Sequence, residues 1–562
     1  MKKKFHLLLI KPSRYDDDGY VIQWRRVSHP VASLMVLNAL AEDCAKRSVL
    51  GPDVDIRVEA LEDQSGLPPV AKMIHRIKQA GAGGLVGFVG VHSAQFPRTA
   101  DLARQFRAAD VPVVIGGFHV SGSMIMLPET PPELQEMLDL GVSLFVGEGE
   151  GRLEQVIQDA HLGQLRPVYN YSGQLVDLDK ALVPTHLPKS VEHNLIHALN
   201  PSEPIEAGRG CPFNCSFCSV INVHGRKART RSPETIISQI RNGLARGRST
   251  FFFTDDNFPR NPRWREILET LVDLREKEGV NISFTIQVDA QSDRDPDFIP
   301  LAVRAGCSQI FVGMESINPA ALAAVGKKHN TVERYQQLFL AWKRHGVQTM
   351  AGYILGFPTD TPASIRRDIE TIKQELALDM PYFFVLTPLP GSADHRDLVS
   401  RGVPLAEDLA LYTTFHATLP LPHMSCEELQ AVYDEAWQLF YDDAHCETIM
   451  RRHAALGGDM AWLMAFLLPF RGVTPIERVF PSEIGFFRIK SRRERRPGFP
   501  KEPLVRFLLH RCRDTLFVHL KWARLLIRMI RIAKRVKRSG NRPVPKDPAL
   551  APLPGKTDTP DG

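Results

Sequence analysis

Short apolar segments alternate with helical segments twice along the chain, and this alternation limits the fold more than any other feature. In the first 165 residues the apolar segments are FHLLLIKP, GLVGFVGVHS, VPVVIGG and SLFVGEGE, with helical patterns such as RTADLARQFRAAD among them. Continuously apolar strands joined by helices predict a parallel sheet covered on both faces. Residues 1–165 are therefore predicted to form a Rossmann-like (flavodoxin-like) α/β domain, with ligands bound by loops beyond the carboxyl ends of the strands.

The alternation starts again near residue 204 with six further apolar segments, which are IEAGRG, TFFFTDDNF, ISFTIQVDA, QIFVGMES, QTMAGYILGFP and YFFVLTPLPGS. Six strands with helices between them predict a partial (β/α)6 TIM-like barrel, whose chemistry is expected at the carboxyl ends of the strands. The predicted divisions that follow from this pattern are a linker over 166–200, the barrel over 201–400, a helical region over 401–490, a basic amphipathic helix over 491–540 and a disordered tail over 541–562.

The chain has 562 residues, of which 43% are hydrophobic and 24% are charged. No segment reaches the ~18–20 apolar residues of a membrane-spanning helix, and AWLMAFLLPF at 461–470 is predicted to be a buried helix. The apolar stretch near the N-terminus is too short for an export signal, so we expect a cytoplasmic (cytosolic) protein. Eight cysteines in such a chain argue against a disulfide framework and favour metal or redox roles for clustered thiols.

Positive charge is concentrated near the C-terminus. Between Arg488 and Arg542 there are 19 Lys or Arg residues against three Asp or Glu, whereas the rest of the chain has an excess of ten acidic residues. Over 503–538 the basic residues interleave with apolar ones, a pattern typical of a helix that contacts a membrane interface. Such contact would place the protein at the inner face of the membrane. Docking on the acidic body is the alternative, and nucleic acid is disfavoured because no recognition motif is present.

Three of the eight cysteines, Cys211, Cys215 and Cys218, lie within eight positions in the pattern C-x3-C-x2-C. Three thiolates on one loop can bind three irons of a [4Fe–4S] cluster and leave the fourth iron open to another ligand. Zinc is the competing metal, with His224 as a fourth ligand, and the corresponding protein would be a zinc-stapled nucleic-acid-binding module that uses the basic tail. A structural zinc site normally takes two ligand pairs, and no second Cys pair is near.

This motif, placed after a strand and with Phe217 before the third cysteine, resembles the radical S-adenosylmethionine (SAM) superfamily. The resemblance implies that the open iron chelates SAM and that an electron from the cluster cleaves SAM to a 5′-deoxyadenosyl radical, which abstracts a substrate hydrogen. Matching by position also assigns SAM contacts at the ends of three later strands. The residues so assigned, besides Phe217, are Asp255, Asp256, Asn257, Glu315, Ser316, Gly352 and Ile354.

Alternatives remain for these SAM contacts. The usual Gly-Gly-Glu motif is absent, so Asp255 or Asp256 would supply its carboxylate, and a helix N-cap is the other role open to residues of TDDN. Glu315 could instead be buried beside a structural arginine. Gln287 and Asp289 either face the substrate or are ordinary polar residues at a strand end.

The first domain resembles the cobalamin-binding domain of one radical SAM branch, through the segments VVIGGFHVS and GEGE. The residues implied to line the corrin are Ser93, Gly116, Gly117, His119, Gly147, Glu148 and Gly149. The D-x-H-x-x-G loop whose histidine ligates cobalt in many cobalamin proteins is absent here, so no such axial ligand is expected. A domain that has lost its cofactor and only packs on the barrel is the alternative.

The combined pattern most resembles the group that contains the anaerobic Mg-protoporphyrin IX monomethyl ester oxidative cyclase and cobalamin-dependent radical SAM methylases. The resemblance implies methylation of an unactivated carbon, with a radical cyclase or rearrangement as the alternative. The expected partners are a small lipid-like or tetrapyrrole substrate and an electron donor such as ferredoxin or flavodoxin. Methylthiolation is disfavoured because the downstream cysteines are too far apart to suggest a second cluster.

Overall fold

The computed structural model describes residues 2–27, 30–195, 202–324, 330–456, 458–540 and 547–550. Most of the tail over 541–562, which the sequence predicts to be disordered, lies outside the described residues. Among the described residues, no helix combines the length and the apolar character needed to cross a bilayer.

The first part of the chain forms a six-stranded, fully parallel sheet. Its elements, together with one strand that pairs elsewhere (β2), are β1 (Lys3–Lys11), β2 (Gln23–Val27), β3 (Val54–Glu62), β4 (Gly84–Phe88), β5 (Val113–Gly116), β6 (Ser143–Val146) and β7 (Val168–Asn170), with the helices α1 (Ala32–Lys46), α2 (Val70–Lys78), α3 (Phe96–Arg107), α4 (Phe118–Met126), α5 (Pro132–Asp139), α6 (Leu153–Leu162) and α7 (Lys189–Asn194).

The strand order of this sheet is β3-β1-β4-β5-β6-β7, so the direction of winding reverses between β1 and β4. This is the flavodoxin-like order, and it confirms the predicted Rossmann-like fold. Ligands of such sheets bind outside the carboxyl ends of the strands, where the loops after β4, β5 and β6 lie.

The second part forms another six-stranded parallel sheet, with the sequential order β8-β11-β12-β13-β14-β15. Its strands are β8 (Glu203–Ile205), β11 (Thr250–Phe253), β12 (Ser283–Val288), β13 (Cys307–Glu315), β14 (Gln348–Leu355) and β15 (Met380–Val385), and β9 (Gly208–Arg209) and β10 (Arg229–Thr230) form a separate two-stranded ribbon. The helices of this part are α8 (Val220–Val223), α9 (Pro233–Ala245), α10 (Trp264–Glu276), α11 (Phe298–Ala305), α12 (Pro319–Ala324), α13 (Val332–Lys343), α14 (Pro362–Glu375) and α15 (Ala393–Ser400).

The sequential order is that of a partial (β/α)6 barrel, as predicted, because each helix returns the chain to the next parallel strand. In the described residues the outer strands β8 and β15 do not pair, so the barrel is open on one side. Local signals agree with the fold: Ser232 caps α9 by accepting from the Thr235 amide, and Pro233 begins the helix.

The C-terminal part is mainly helical, as predicted. Its elements are α16 (Cys426–Phe440), α17 (Asp443–Ala455), α18 (Met460–Glu477), β16 (Gly485–Ile489) and α19 (Leu504–Arg538). The apolar segment 461–470 lies in α18, where Leu463 and Leu467 are fully buried. Strand β16 pairs antiparallel with β2, so the C-terminal part is joined to the beginning of the chain.

Candidate active site at the cysteine loop

The loop that carries the three cysteines lies between β9 and α8. None of the three is in a disulfide, and all three are half-buried. The turn into the loop depends on Gly210, whose φ is +93° and where a Cβ atom would lie 2.6 Å from the carbonyl oxygen of Lys227. The Gly210 amide donates to Oδ2 of Asp256 at 2.8 Å, so the end of β11 fixes the start of the loop.

The donor set of this loop suits an iron–sulfur cluster, because three thiols that form no disulfide are spaced over eight residues of one segment. Burial raises the pKa of the Cys218 thiol, and the negative charges of Asp256 and Cys211 raise it further. A bound metal would be needed to hold these thiols as thiolates. No three His, Cys, Asp or Glu side chains in the described ranges already have metal-binding geometry, so the thiols must turn toward a common centre to bind a cluster.

The adjacent carboxylates at the end of β11 have different surroundings. Asp255 is 3% exposed and accepts from the Ala207 amide at 2.9 Å and from Nδ2 of Asn261 at 3.1 Å. Burial raises the pKa of Asp255 to about 7, against the lowering effect of these hydrogen bonds. Asp256 accepts from Gly210 and lies 3.7 Å from Nδ1 of His224. Asp255 therefore holds the scaffold together, and Asp256 faces the cysteine loop.

Asn257 combines a fixed amide group with a free acceptor. Its Nδ2 donates to Oδ2 of Asp289 at 3.0 Å, and Asp289 also receives two hydrogen bonds from Arg260, at 2.7 and 2.9 Å. The Oδ1 atom of Asn257 is buried and has no hydrogen-bond partner. A buried acceptor without a donor is what a bound ammonium group would satisfy. Gln287 instead donates to the backbone of Asp255 at 2.9 Å and is used within the scaffold.

Glu315, at the end of β13, has a backbone conformation that is rare for its residue type. Its φ is +65°, and the pairing of β13 with β14 shifts register between Gly313 and Glu315. Such bulges and left-handed residues re-aim side chains near functional sites. Ser316, next in the chain, is 1% exposed, and its Oγ accepts from the Asn318 amide at 3.0 Å, which serves the local turn.

Two of the residues assigned to SAM, Phe217 and Ile354, lie in one small apolar cluster. Ile354, Phe357 and Ala321 form its buried centre, and Phe217 from the cysteine loop packs against them. Gly352, two residues before Ile354 on β14, faces the ring of Phe311, which a Cβ atom would approach to 3.1 Å. The cluster thus brings the cysteine loop and β14 together, whereas Gly352 lies deeper in the barrel.

The four glycines assigned to the corrin lie at the end of β5 or just after β5 or β6, at the carboxyl edge of the first sheet. They are Gly116, Gly117, Gly147 and Gly149. Gly117 has a φ of +144°, and a Cβ atom there would overlap the backbone of Val91. Only glycine permits this close approach of two loops.

His119 and Ser93 lie together at the same edge and are 1% and 6% exposed. Nδ1 of His119 is 3.1 Å from Oγ of Ser93, and its Nε2 is 3.4 Å from Oε1 of Glu133. Buried polar atoms without hydrogen-bond partners are found nearby, at Oγ of Ser123 on α4 and Nδ1 of His395 on α15. Burial lowers the pKa of His395 to about 4, so this group is neutral near pH 7. The unsatisfied atoms fit a polar cofactor between α4 and α15.

Glu148 takes part in a buried ion-pair network. Arg229 donates to both of its carboxylate oxygens, at 2.6 and 2.8 Å, and Nη1 of Arg209 is 3.2 Å away. Although burial opposes ionisation, the two guanidinium groups lower the pKa of Glu148 to about 2. Arg209 also pairs with Glu150 and with Glu206. The GEGE loop therefore holds the β9–β10 ribbon, whose two strands flank the cysteine loop.

The two sheets meet through contacts between aromatic and histidine rings that the sequence does not predict. The rings of His92 and Phe118 stack at 5.7 Å, and Phe118 contacts the ring of His224 edge-on at 5.0 Å. His92 keeps accessible surface, yet the surrounding protein lowers its pKa to about 3, as expected of a side chain lining a cleft. The sequence signal for these contacts is weak, because single aromatic residues after a strand are common.

Comparison with known proteins identifies the second part of the chain. Residues 205–372 match the Radical SAM superfamily. Bacteriochlorophyllide d C-12(1)-methyltransferase from Chlorobaculum tepidum is 27% identical over 363 residues, which are 63% of this chain and 74% of that protein. The anaerobic magnesium-protoporphyrin IX monomethyl ester cyclase from Rubrivivax gelatinosus is 30% identical over 196 residues, or 34% of each chain.

The fold of most of the chain also resembles a solved structure. The structure of the radical S-adenosylmethionine methyltransferase TsrM from Kitasatospora setae, with cobalamin and a [4Fe–4S] cluster bound, aligns with a TM-score of 0.60 at 16% identity. The alignment covers 85% of this chain and 99% of that one. The likeness extends beyond the barrel to the first sheet.

Proposed function

We propose, on the premise that the chain is an enzyme with a radical SAM domain at 205–372, that it is a cobalamin-dependent methyltransferase acting on an unactivated carbon. The single observation that carries the proposal is the position of the cysteine loop. Three thiols that form no disulfide lie at the mouth of the partial barrel, beside the loops of a flavodoxin-like sheet. The methyltransferase relatives support the reaction class.

In this proposal Cys211, Cys215 and Cys218 hold a [4Fe–4S] cluster. The cluster and SAM supply a hydrogen-abstracting radical, and cobalamin supplies the methyl group. Asp256 and the unsatisfied Oδ1 of Asn257 bind the ammonium group of SAM, since both lie at the end of β11 beside the cysteine loop.

The adenine of SAM is proposed to lie against the apolar cluster of Phe217 and Ile354, which excludes water from that side. The corrin is proposed to lie at the edge formed by the loops after β4, β5 and β6. Ser93 and His119 lie together there, with Nδ1 of His119 3.1 Å from Oγ of Ser93, and this pair is proposed to contact the corrin.

The barrel interior supports an apolar, flat substrate. Phe311, Tyr382 and Phe384 are half-buried, and the ring of Tyr382 lies 5.4 Å from Phe311 and 6.3 Å from Phe384. Tyr382 also packs edge-on against Phe470 of α18 at 4.6 Å, so this helix bounds the aromatic group on one side. Aromatic side chains that keep accessible surface inside a barrel form a wall on which a tetrapyrrole ring could stack. We therefore propose a tetrapyrrole-like substrate, with a lipid as the other apolar class, and ferredoxin or flavodoxin as electron donor.

Anaerobic reconstitution with iron, sulfide and hydroxocobalamin tests the proposal. The reconstituted protein is incubated with SAM carrying a deuterated methyl group, reduced flavodoxin and a porphyrin substrate, and the products are analysed by mass spectrometry. We expect 5′-deoxyadenosine and S-adenosylhomocysteine together, with a trideuteromethyl group replacing hydrogen on the porphyrin. A Cys218→Ala variant is the control and should form neither nucleoside product.

The cyclase-like relative favours a second candidate, a radical oxidative cyclisation of a tetrapyrrole side chain. The same assay separates the two. Formation of 5′-deoxyadenosine without S-adenosylhomocysteine, and with no deuterium in the porphyrin, would reject methyl transfer and support cyclisation.

A further inference from the structure

Helix α19 has one apolar stripe that packs on the body of the protein. Met529, Ile532 and Val536 on this stripe are at most 2% exposed and contact the helical part formed by α17 and α18. Farther along the same side, Nε1 of Trp522 donates to Oε1 of Glu477 at 3.0 Å. The helix therefore has a fixed inner side.

A second apolar stripe runs along the outer side of α19. Its members are spaced by three or four residues, which keeps them on one side of a helix. They are Val505, Leu509, Cys512, Leu516, Leu520, Ala523, Ile527 and Ile530, and we call them the outer stripe. Leu509 and Leu516 are 66% and 59% exposed. At 1.5 Å per residue the stripe is about 38 Å long, far more than scattered surface leucines would give.

Strand β16 adds an aromatic side chain to this surface. Phe487 has a φ of +58° and lies between Phe486, which pairs with Arg26, and Arg488, which pairs with Trp24. The Phe487 ring is 60% exposed and stacks on His519 of α19 at 5.9 Å. A phenylalanine in the left-handed backbone region lowers the stability of the fold by about 1–3 kcal/mol. The fold tolerates this strain at a residue whose apolar ring is exposed to solvent.

Charge identifies the partner of this surface. The segment from Arg488 to Arg542 has 19 Lys or Arg residues against three acidic ones, and exposed arginines such as Arg506, Arg513 and Arg524 border the outer stripe. A second copy of the chain would bring an equal positive charge against it, which opposes self-association. Anionic lipid headgroups complement the charge, and the acyl boundary accepts the apolar side chains.

We propose that the outer stripe and Phe487 dock the protein on the surface of an anionic lipid bilayer, with α19 parallel to the membrane plane. The proposal stands on α19 and β16 alone and does not depend on the proposed reaction. An apolar substrate dissolved in the membrane would nevertheless become accessible to a protein held there.

Sedimentation of the full-length protein with vesicles tests the docking. Vesicles of equal parts phosphatidylglycerol and phosphatidylcholine are compared with vesicles of phosphatidylcholine alone. We expect binding to the anionic vesicles only, weakened by salt. The double variant Leu516→Glu/Leu520→Glu should bind about tenfold more weakly or worse, because each change removes an exposed leucine that the lipid would bury. Leu162→Glu, at a residue on α6 that is 64% exposed, is the matched control and should bind like the wild type.

A second variant keeps the test decisive if the double variant unfolds. Phe487→Gly relieves the left-handed strain, so it should preserve or raise the melting temperature and still weaken vesicle binding. Equal binding of the wild type and both variants would overturn the proposal, as would equal binding to neutral and anionic vesicles. A wild-type dimer that the double variant converts to a monomer, without loss of vesicle binding, would show self-association instead.

Discussion

The carboxylates Asp255 and Asp256 are neighbours in sequence, but the structure gives them different tasks. The side chain of Asp255 points inward to the Ala207 amide and Asn261, while Asp256 receives the Gly210 amide beside the cysteines. The sequence could predict a carboxylate at the end of this strand. It could not predict which of the two faces the site, because that depends on the strand's local twist and on the partner that Asn261 provides.

Substitution of these two aspartates should separate stability from SAM binding. Asp255→Ala leaves the buried Ala207 amide without its partner and removes one of the two hydrogen bonds that Nδ2 of Asn261 donates, which should lower the free energy of unfolding by about 3 kcal/mol. Asp256→Ala should lower it by less than about 1 kcal/mol, because this side chain is partly accessible to water, yet it should weaken SAM binding. Denaturant titration and equilibrium dialysis of the reconstituted proteins measure the two effects. Loss of SAM binding in a stable Asp255→Ala protein would reverse the assignment.

The buried pair of Glu148 with Arg229 and Arg209 should make stability depend on acid pH. The pKa of Glu148 is about 2 in the folded protein and 4.5 in the unfolded chain. Its stabilisation is therefore fully present above pH 4.5 and is lost as the pH falls toward 2, with a total of about 3 kcal/mol. Glu148→Gln should lose about this much at pH 7 and lack this contribution to the acid slope.

Denaturant unfolding at several pH values measures this effect. Glu154→Gln is the control, because Glu154 pairs with Arg47 at an exposed position and should change stability by less than about 1 kcal/mol. An unchanged acid slope in Glu148→Gln would show that the ion pair does not stabilise the fold.

At the scale of elements, the close approach of α4 to the loop before α15 joins the two sheets. A Cβ atom at Gly122 would lie 2.7 Å from Cα of Gly391 and 2.8 Å from the carbonyl oxygen of Pro390. The same loop is also held from α8, where Nδ2 of Asn222 donates to the carbonyl of Gly391 at 2.8 Å. Gly122 therefore sets the distance between the first sheet and the barrel at the proposed cofactor edge.

Gly122→Val should push these elements apart and cost about 1–3 kcal/mol of stability through overpacking. We also expect the reconstituted variant to retain less cobalamin, which corrin absorbance after gel filtration would measure. Gly66→Val is the control, since a side chain at Gly66 meets no atom within 4 Å. If a destabilised Gly122→Val protein retained all of its cobalamin, cofactor binding would not depend on this contact between α4 and the loop before α15.

Elements were predictable from sequence where both faces of a strand are buried. Five of the six barrel strands and β1, β4, β5 and β6 have apolar runs that predict them, whereas the segment predicted as the first barrel strand, IEAGRG at 205–210, meets β8 only at Ile205 and covers β9. The strands β3 and β7 were missed: VDIRVEALE on β3 mixes charged and apolar residues because it lies at the sheet edge, and β7 has only three residues within the predicted linker. The pairing of β2 with β16 could not be predicted, because it joins segments more than 450 residues apart.

At the scale of the whole molecule, the two ends of the chain are tied together near the first sheet. Arg14 forms an ion pair with Glu483 at 2.7 Å, and Arg98 forms one with Glu494 at 2.9 Å. These contacts and the β2–β16 pair place the C-terminal helices beside both sheets. Charge segregation was visible in the sequence, but the division of α19 into an inner packed side and an outer apolar side required the fold.

The central claim is that the loop of Cys211, Cys215 and Cys218 holds an iron–sulfur cluster that serves SAM cleavage. The most direct measurement is iron content and 5′-deoxyadenosine formation in the anaerobically reconstituted wild type and in the variant with all three cysteines changed to alanine. We expect about four irons per wild-type chain, a brown colour and cleavage of SAM, and we expect the variant to lose all three. A triple variant that keeps its iron and still cleaves SAM would contradict the assignment of the cluster to these cysteines.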